Sequence, residues 1–460
     1  MRASPALRHA FPIVAFAATM VTFYPGHLSF DSAVQFWSAR TGEFYNVSPP
    51  LQPVLWSLVQ SVWPGSGGMF TLQAGLFVGG VWLACSALFA ATWERIAASL
   101  YVILGTPALL VVTHLWTDAL LIACLIAGCG LTLAAERRKS RGLLLAALTF
   151  FVMGGMSRHN ALPAIVPLLF WWALVFSRMA RQERPLSGSR LLVGALVGAL
   201  AIAGASRLLD QLVVKHRVST FAAVQVFDIA GVSVRVGELL FPDFMLPPGF
   251  TIDALRSRYV PYNNVPLFQG GIKETLWEGS LNAEQLADLR RAWRRAIISH
   301  PLAYLSHRFA VTCWLFDRFR NDRPQQLAFV ESIGSFEGNP VIVPNSTVLH
   351  RWAMAWYERS IGWWGFAPVT YIVIAIAIML ITWRARATPV GQAALALAAS
   401  GLAYVAPLPL VVPSAELRYS GWMFAATSLA VVATVKLLKV AGTFLSNRPD
   451  RPFASEANGR

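Results

Sequence analysis

The chain has 460 residues, of which 56% are hydrophobic and only 13% are charged, and its formal net charge at pH 7 is +15. Soluble domains are about 45–50% apolar and about 25% charged, so this composition excludes an ordinary soluble protein. Apolar runs of membrane-spanning length recur along the chain, which is typical of an all-α polytopic membrane protein. The Lys and Arg residues form no basic groove with regularly interleaved aromatics, so nucleic acid is not expected as a partner.

The apolar segments predict about ten transmembrane helices, with ten to twelve as the range. Residues 1–209 would form an N-terminal transmembrane module that includes a first outer loop, 25–68, and residues 358–440 would form the C-terminal transmembrane helices. Between them, hydropathy falls over 210–357, which predicts an extracytoplasmic domain of helices and loops. The predicted spans lie near 10–24, 69–92, 96–113, 119–135, 142–156, 161–177, 191–209, 361–383, 389–411 and 420–438.

The basic loops indicate the orientation of these spans, because Lys and Arg accumulate on the cytoplasmic side. With the N-terminus in the cytoplasm, three basic stretches fall inside: Arg95, 137–141 and 178–190. Segment 301–316 is apolar but contains His307 and Arg308. If it crossed the membrane, the basic residues after span 361–383 and the tail 441–460 would fall outside. We therefore predict that 301–316 lies on the membrane or packs within the outer domain, and that the tail is cytoplasmic.

The first outer loop carries an acidic residue, Asp31, in a short amphipathic run that is too polar to cross a bilayer. Gln35 follows four residues later, so a helix would place both side chains on one face. Asp is also a common helix-capping residue, and a purely structural role for Asp31 therefore stays open.

The predicted topology places four polar features on the same outer face of the membrane. Charged groups at helix ends near the bilayer are costly unless they pair or serve a site, which makes each a functional candidate. Purely structural roles also stay open for these residues, namely helix capping by Asp118, contact of Arg158 with lipid head groups, and a local pair between Glu416 and Arg418. The histidines lack metal-site spacing, so no metal ligand is predicted. The four features are Asp31, Asp118, Arg158-His159-Asn160 and Glu416-Leu417-Arg418-Tyr419.

Two carboxylates and two guanidinium groups that face one outer cavity suit a transfer reaction from an anionic lipid carrier. A carboxylate can accept the proton of an attacking hydroxyl group. Arginine can bind a phosphate through paired hydrogen bonds and stabilise the charge that develops on it as it leaves. A site at the membrane surface would let an apolar tail stay in lipid while the head group reacts outside.

These motifs resemble those of polytopic glycosyltransferases with the GT-C fold, the superfamily of protein O-mannosyltransferases and lipid A aminoarabinose transferases. The stretch YPG…FDSAVQFW…GEFYNVSPP is especially similar to a bacterial branch, whose members often have His-Pro-Pro where this chain has Ser48-Pro49-Pro50. Segments 225–235 and 293–304 also resemble that branch. The matching motifs are Phe30-Asp31-Ser32, Trp116-Thr117-Asp118, Arg158-His159-Asn160 and Glu416-Leu417-Arg418-Tyr419.

The resemblance implies an inverting transfer of a sugar from a polyprenyl-phosphate carrier to a hydroxyl group of a glycan, lipid or protein. The enzyme would lie in a bacterial inner membrane, with its site on the periplasmic or extracellular side. Asp31 would be the general base, supported by Gln35, and Arg158 and Arg418 would bind the carrier phosphate. No covalently bound cofactor is implied, and only some relatives use a divalent metal. The residues expected to orient the sugar, the acceptor or the arginines are Asp118, Asn160, Glu416 and Tyr419.

Other functions remain open on the sequence. A transporter or flippase of lipid-linked sugars would favour polar groups near the bilayer midplane and an internal repeat, and neither is found. A polysaccharide polymerase or ligase would depend on arginines of the outer loops rather than on an acidic residue of the first loop. A purely structural membrane protein would leave the one-sided arrangement of polar groups unexplained.

Overall fold

A computed structural model describes residues 5–180, 187–275, 279–316, 328–330 and 336–446, and most of these residues are helical. Two short strands, β1 Phe44–Tyr45 and β2 Val214–His216, pair in parallel and join the first outer loop to the end of α10. The α-helices are α1 Pro5–Phe23, α2 Phe30–Thr41, α3 Leu51–Gln60, α4 Gly67–Leu88, α5 Thr92–Leu104, α6 Ala108–Val112, α7 Thr117–Arg138, α8 Arg141–Ser157, α9 Leu162–Met179, α10 Gly188–Val213, α11 Thr220–Val236, α12 Ile252–Arg258, α13 Val265–Phe268, α14 Ala283–Ser299, α15 Pro301–Phe316, α16 Val348–Ser360, α17 Pro368–Thr382, α18 Pro389–Val405, α19 Leu408–Val411 and α20 Gly421–Ser446.

Within the described part of the chain, seven helical segments are long and apolar enough to cross a membrane, which confirms the prediction of an all-α, multi-pass membrane protein. Ala10–Phe23 and Arg141–Ser157 are shorter apolar helices, so the finer count of about ten spans stays a prediction. The predicted span 96–113 is divided near Pro107 into α5 and α6. Proline has no amide hydrogen to donate to the preceding turn and disfavours a helical conformation in the residue before it, so the helix is interrupted there. The seven segments are Gly67–Leu88, Thr117–Arg138, His159–Met179, Gly188–Val213, Pro368–Ala385, Pro389–Val411 and Leu417–Val440.

Helix α7 occupies the centre of the bundle and α10 its periphery. In the most apolar 18-residue stretch of each helix, 94% of α7 is buried within the protein but only 22% of α10. Glycines let α4 approach α7 closely, because a Cβ on Gly80 would lie 2.7 Å from the backbone N of Ala127 and one on Gly130 would lie 2.5 Å from the carbonyl O of Gly80. The exposed side of α10 is therefore the side that would face lipid.

The region predicted as an outer domain, 210–357, begins inside α10, which continues to Val213, past the expected end at 209. It contains α11 to α16, and α11 packs against both α14 and α15. Gly231 of α11 makes this contact close, because a Cβ there would lie 2.1 Å from Nδ1 of His307 on α15. Segment 301–316 is thus a helix packed on α11 and α14, and its placement relative to the membrane stays a prediction. It is not among the candidate spans.

The predicted cytoplasmic tail, 441–460, starts within the last turns of α20. Its residues from 447 onward lie outside the described part of the chain.

Candidate functional site

Backbone hydrogen bonds join the first outer loop to the start of α7. The amide of His27 donates to the carbonyl of Thr113 at 2.9 Å, and the amide of Leu115 donates to the carbonyl of His27 at 2.9 Å. The buried side chain of Gln52 adds a bond from Nε2 to the carbonyl of Leu115 at 2.8 Å. These contacts fix the beginning of α2, and with it Asp31, beside the loop that leads to Asp118.

Asp31 lies in the first turn of α2, after the N-cap residue Ser29, and is not itself the cap. Its Oδ2 atom lies 2.7 Å from Nη2 of Arg418, and its side chain is 36% exposed. Gly42, which has a positive φ of 72°, caps the C-terminal end of α2. Asp31 is thus a carboxylate with one guanidinium partner and a face open to solvent.

Arg418 lies in the short 3-10 turn Leu417–Ser420, directly before α20. Its Nε atom lies 2.5 Å from Oε2 of Glu416, so the local pair considered from the sequence is present. The same guanidinium also binds Asp31 and lies over the Trp116 ring, 4.9 Å from the ring centroid. Arg418 therefore joins the beginning of α2, the residue that caps α7 and the segment directly before its own turn.

Arg158 follows α8 and binds the buried carboxylate of Asp118, with Nη1 2.6 Å from Oδ2. Its Nε atom donates to Oδ1 of Asn160 at 3.3 Å. Tyr404 donates its hydroxyl hydrogen to the other oxygen of Asp118 at 3.3 Å. Asp118 is thus an ion-pair partner within the helix bundle, and Trp116, not Asp118, is the N-cap residue of α7.

Tyr419 lies between the two arginines. Its ring centroid is 5.5 Å from Cζ of Arg158 and 5.4 Å from Cζ of Arg418. Its hydroxyl lies 3.3 Å from Oε1 of Glu416, which also accepts a hydrogen bond from Ser414 at 2.8 Å. The acidic residue of the first loop and the two guanidinium groups, which the sequence placed together, are therefore joined in one cluster, here called the Asp31 centre.

Gln35 is the predicted residue for which the structure shows no contact with this centre. It lies one turn after Asp31 on α2 and is buried, with 7% of its surface exposed. Its Oε1 atom has no hydrogen-bond partner within the described part of the chain, so direct support of Asp31 by a hydrogen bond is not seen.

Sequence reasoning did not select three side chains that complete the centre. Trp116 lies against Arg418 and donates from Nε1 to Oγ of Ser29 at 2.7 Å. Tyr404 and Ser414 bind Asp118 and Glu416 as described above. Trp116 stands beside Asp118 in a motif that could have revealed it, whereas Tyr404 is an isolated polar aromatic in an apolar span and gives no such signal.

A group of buried histidines lies behind the Asp31 centre. The His114 ring stacks on Trp116 at 4.0 Å, and its centroid is 4.9 Å from that of His27. Burial lowers the pKa of His27 to about 4, and the nearby His350 acts in the same direction. Burial and the adjacent His27 ring also lower the pKa of His114. Among the described residues, no three His, Cys, Asp or Glu side chains are placed to bind a metal ion.

A second feature adjoins Arg158, a cavity of about 520 Å³ between the first outer loop, the α8–α9 junction and α10. It is rich in charged groups, three of which are arginines. The lining residues with polar or ring groups include Asn46, Pro50, Arg158, Arg207, Asp210 and Arg217.

Comparisons of the chain with protein-family models, with curated proteins and with solved structures find no match.

Proposed function

We propose that the protein is a membrane glycosyltransferase that moves a sugar from a polyprenyl-phosphate donor to an acceptor hydroxyl group. The observation that supports this most directly is the Asp31 centre, where a partly exposed carboxylate lies within 2.7 Å of a guanidinium group at the end of a membrane helix bundle. Such a carboxylate suits the role of general base, and the apolar surface around the helices suits a substrate with a lipid tail.

In the proposed reaction, the acceptor oxygen attacks the anomeric carbon of the sugar. A new carbon–oxygen bond forms as the bond between that carbon and the phosphate oxygen breaks, and polyprenyl phosphate leaves with the bonding electrons. The hydroxyl proton moves to the Asp31 carboxylate. Because this is a single displacement, the anomeric configuration inverts. We place the reaction on the outer side of a bacterial inner membrane, the side that the basic loops assign to this end of the bundle.

The neighbours of Asp31 would position the reacting groups. Arg418 lies 2.7 Å from Asp31 and 2.5 Å from Glu416, so it can orient the base and offset the repulsion between the two acids. Tyr419 packs against both guanidinium groups and would fix their separation. Asp118 would hold Arg158, which in turn lines the adjoining cavity.

A transporter of lipid-linked sugars is the main alternative, since it would bind the same donor. The Asp31 centre lies at helix ends, however, whereas transporters place their binding groups near the bilayer midplane. A polymerase or ligase would use the same donor class but would not depend on Asp31 as a base.

The test is transfer by purified protein in lipid nanodiscs, with radiolabelled polyprenyl-phosphate sugars as donors and cell-envelope fractions from a deletion strain as acceptors. Loss of a general base typically costs about 100- to 10,000-fold in rate, so Asp31→Asn should lose transfer by that factor. Asp253→Asn is the matched control, because Asp253 is an exposed acid whose ion-pair partner among the described residues is its helix neighbour Arg256. Wild-type transfer by Asp31→Asn would refute the assignment of the base. Movement of donor across vesicle membranes without transfer would favour the transporter.

A further inference from the structure

The cavity beside Arg158 has the size of a ligand site and a strongly polar lining. Its volume of about 520 Å³ falls inside the range of about 300–1,000 Å³ that is usual for small-molecule pockets. The Pro49 and Pro50 rings of the first outer loop form one side, and Arg158 and His159 form another. Helix α10 and the segment after β2, which carries Arg217 and Thr220, supply the rest of the lining.

Helix α10 separates this cavity from the surface that would face lipid. Ala203, Arg207 and Asp210 are spaced so that they share one helical face, and all three line the cavity. A different face carries exposed apolar side chains, with Leu208 at 56% and Leu212 at 74% exposure. A ligand with a charged head group and an apolar tail could thus place each part against a matching surface of the same helix.

Arg207 is the cationic group that distinguishes this wall. It is exposed and lies within the last two turns of the candidate membrane span Gly188–Val213, where a charge is favourable only if water, a lipid head group or another ligand meets it. Across the described residues, no carboxylate lies within ion-pair distance of Arg207, and Asp210 is already bound to Arg217 at 3.0 Å. Arg207 therefore presents an uncompensated guanidinium group to the cavity.

The Asp31 centre offers no comparable place for an anion. It contains three carboxylates against two guanidinium groups, which gives it a formal charge of −1. Arg418 already contacts two of these carboxylates and Arg158 contacts the third. A phosphate would have to displace one of these acids, whereas at Arg207 it would meet a free guanidinium group. The three acids are Asp31, Asp118 and Glu416.

We infer that the cavity binds the phosphate of a membrane lipid, with Arg207 as its principal ligand and Arg158 and Arg217 beside it. The identity of that lipid as a polyprenyl phosphate rests on the proposed function. Arg158 lines the cavity and packs against Tyr419, so it connects the phosphate subsite with the Asp31 centre. The phosphate contact that the family resemblance implies for Arg418 moves, in this inference, to Arg207.

The experiment measures binding of polyprenyl monophosphate to the full-length protein in neutral-lipid nanodiscs by native mass spectrometry. A charge-assisted hydrogen bond contributes enough that Arg207→Gln should weaken binding by about 10- to 100-fold. Arg207→Lys should lose less, since it keeps the charge but not the planar fork. Arg190→Gln, an exposed arginine near the other end of α10, is the matched control and should bind as the wild type does.

Two further probes identify the part of the ligand that is recognised. Neutral polyprenol should not compete for the site, and inorganic phosphate at equal concentration should compete weakly. Equal competition by inorganic phosphate would overturn the assignment to a lipid, and unchanged binding in Arg207→Gln would overturn the site itself. Neither the sugar nor the acceptor is present in this measurement, so its failure leaves the test of Asp31 standing, and failure of transfer by the wild type leaves this result standing.

Discussion

Two aspartate–arginine pairs in this protein have the same length but opposite surroundings. Asp31 and Arg418 are 2.7 Å apart, and so are Asp228 and Arg308. The Asp31 side chain is 36% exposed, whereas that of Asp228 is 2% exposed. The distance between the charges therefore does not reveal the role of a pair, and exposure of the carboxylate is the better guide.

The neighbours of Asp228 account for the difference. Trp293 donates from Nε1 to its Oδ2 atom at 2.8 Å, and Nε2 of His307 lies 3.2 Å from Oδ1. Arg308 also donates to the carbonyl of Val412 at 2.8 Å, just before the loop that carries Glu416. The sealed pair thus joins α11, α14 and α15 to the segment that follows α19, so it has a structural role. Asp31, in contrast, keeps one side open to solvent.

The largest expected difference between the two pairs is in stability. Asp228→Asn leaves the buried guanidinium of Arg308 without its counter-charge, which typically costs about 3–5 kcal/mol. Asp31→Asn, at a partly exposed pair, should cost far less. Thermal unfolding in detergent would measure both, with Asp253→Asn as the surface control. Equal melting temperatures for the two variants would end the distinction between a structural pair and a site.

A smaller effect is expected when the charge at the Asp31 centre is kept and its geometry is changed. Arg418→Lys cannot contact Asp31 and Glu416 together through two separate nitrogens, and a lost charged hydrogen bond is worth about 1.5–3 kcal/mol. We expect transfer to fall by about 10- to 100-fold, with little change in melting temperature. Arg40→Lys on α2, whose guanidinium binds Asn339 at 3.0 Å, is the matched control. Full activity in Arg418→Lys would show that charge alone suffices there.

The smallest expected effect is a dependence of stability on pH, and it arises from His27, in the histidine group behind the Asp31 centre. The pKa of His27 is about 4 in the folded protein and about 6.5 when unfolded. The unfolded chain therefore binds the extra proton between these values, and stability falls as pH decreases through that window. The slope is about 1.4 kcal/mol per pH unit for each such histidine. His27→Asn keeps a donor near the Val330 carbonyl and should make the melting temperature less sensitive to acid, and an unchanged slope would contradict the assignment.

Much of the Asp31 centre could be predicted because its members are polar residues at the ends of apolar segments. Hydropathy placed Asp31, Arg158 and Arg418 on one side of the membrane, and the structure joins them. It did not reveal that Arg418 contacts two acids, since this depends on how the last loop folds back. Nor did it reveal Tyr404, which reaches Asp118 from another helix.

The outer region was less predictable from the sequence. Its composition indicated helices and loops, but the pair between Asp228 and Arg308 joins residues far apart in the chain, and no short motif encodes it.

The division between α5 and α6 in the membrane region was also not predicted from hydropathy. The apolar run continues through Pro107, but the backbone cannot continue as one helix there. Periodicity reports which face of an element is apolar and not where that element is interrupted.

The position of Arg418 at the start of α20 has a consequence for biosynthesis. Asp31 emerges from the ribosome early, whereas its partner is among the last membrane-inserted residues to be translated, and α20 packs against α7 at the centre of the bundle. Chains generally acquire structure from the N-terminus onward during synthesis. The nascent protein therefore carries an incomplete centre until Arg418 and α20 have been synthesised, and a chain truncated before Arg418 would leave uncovered the surface of α18 on which α20 packs, for cellular quality control to recognise.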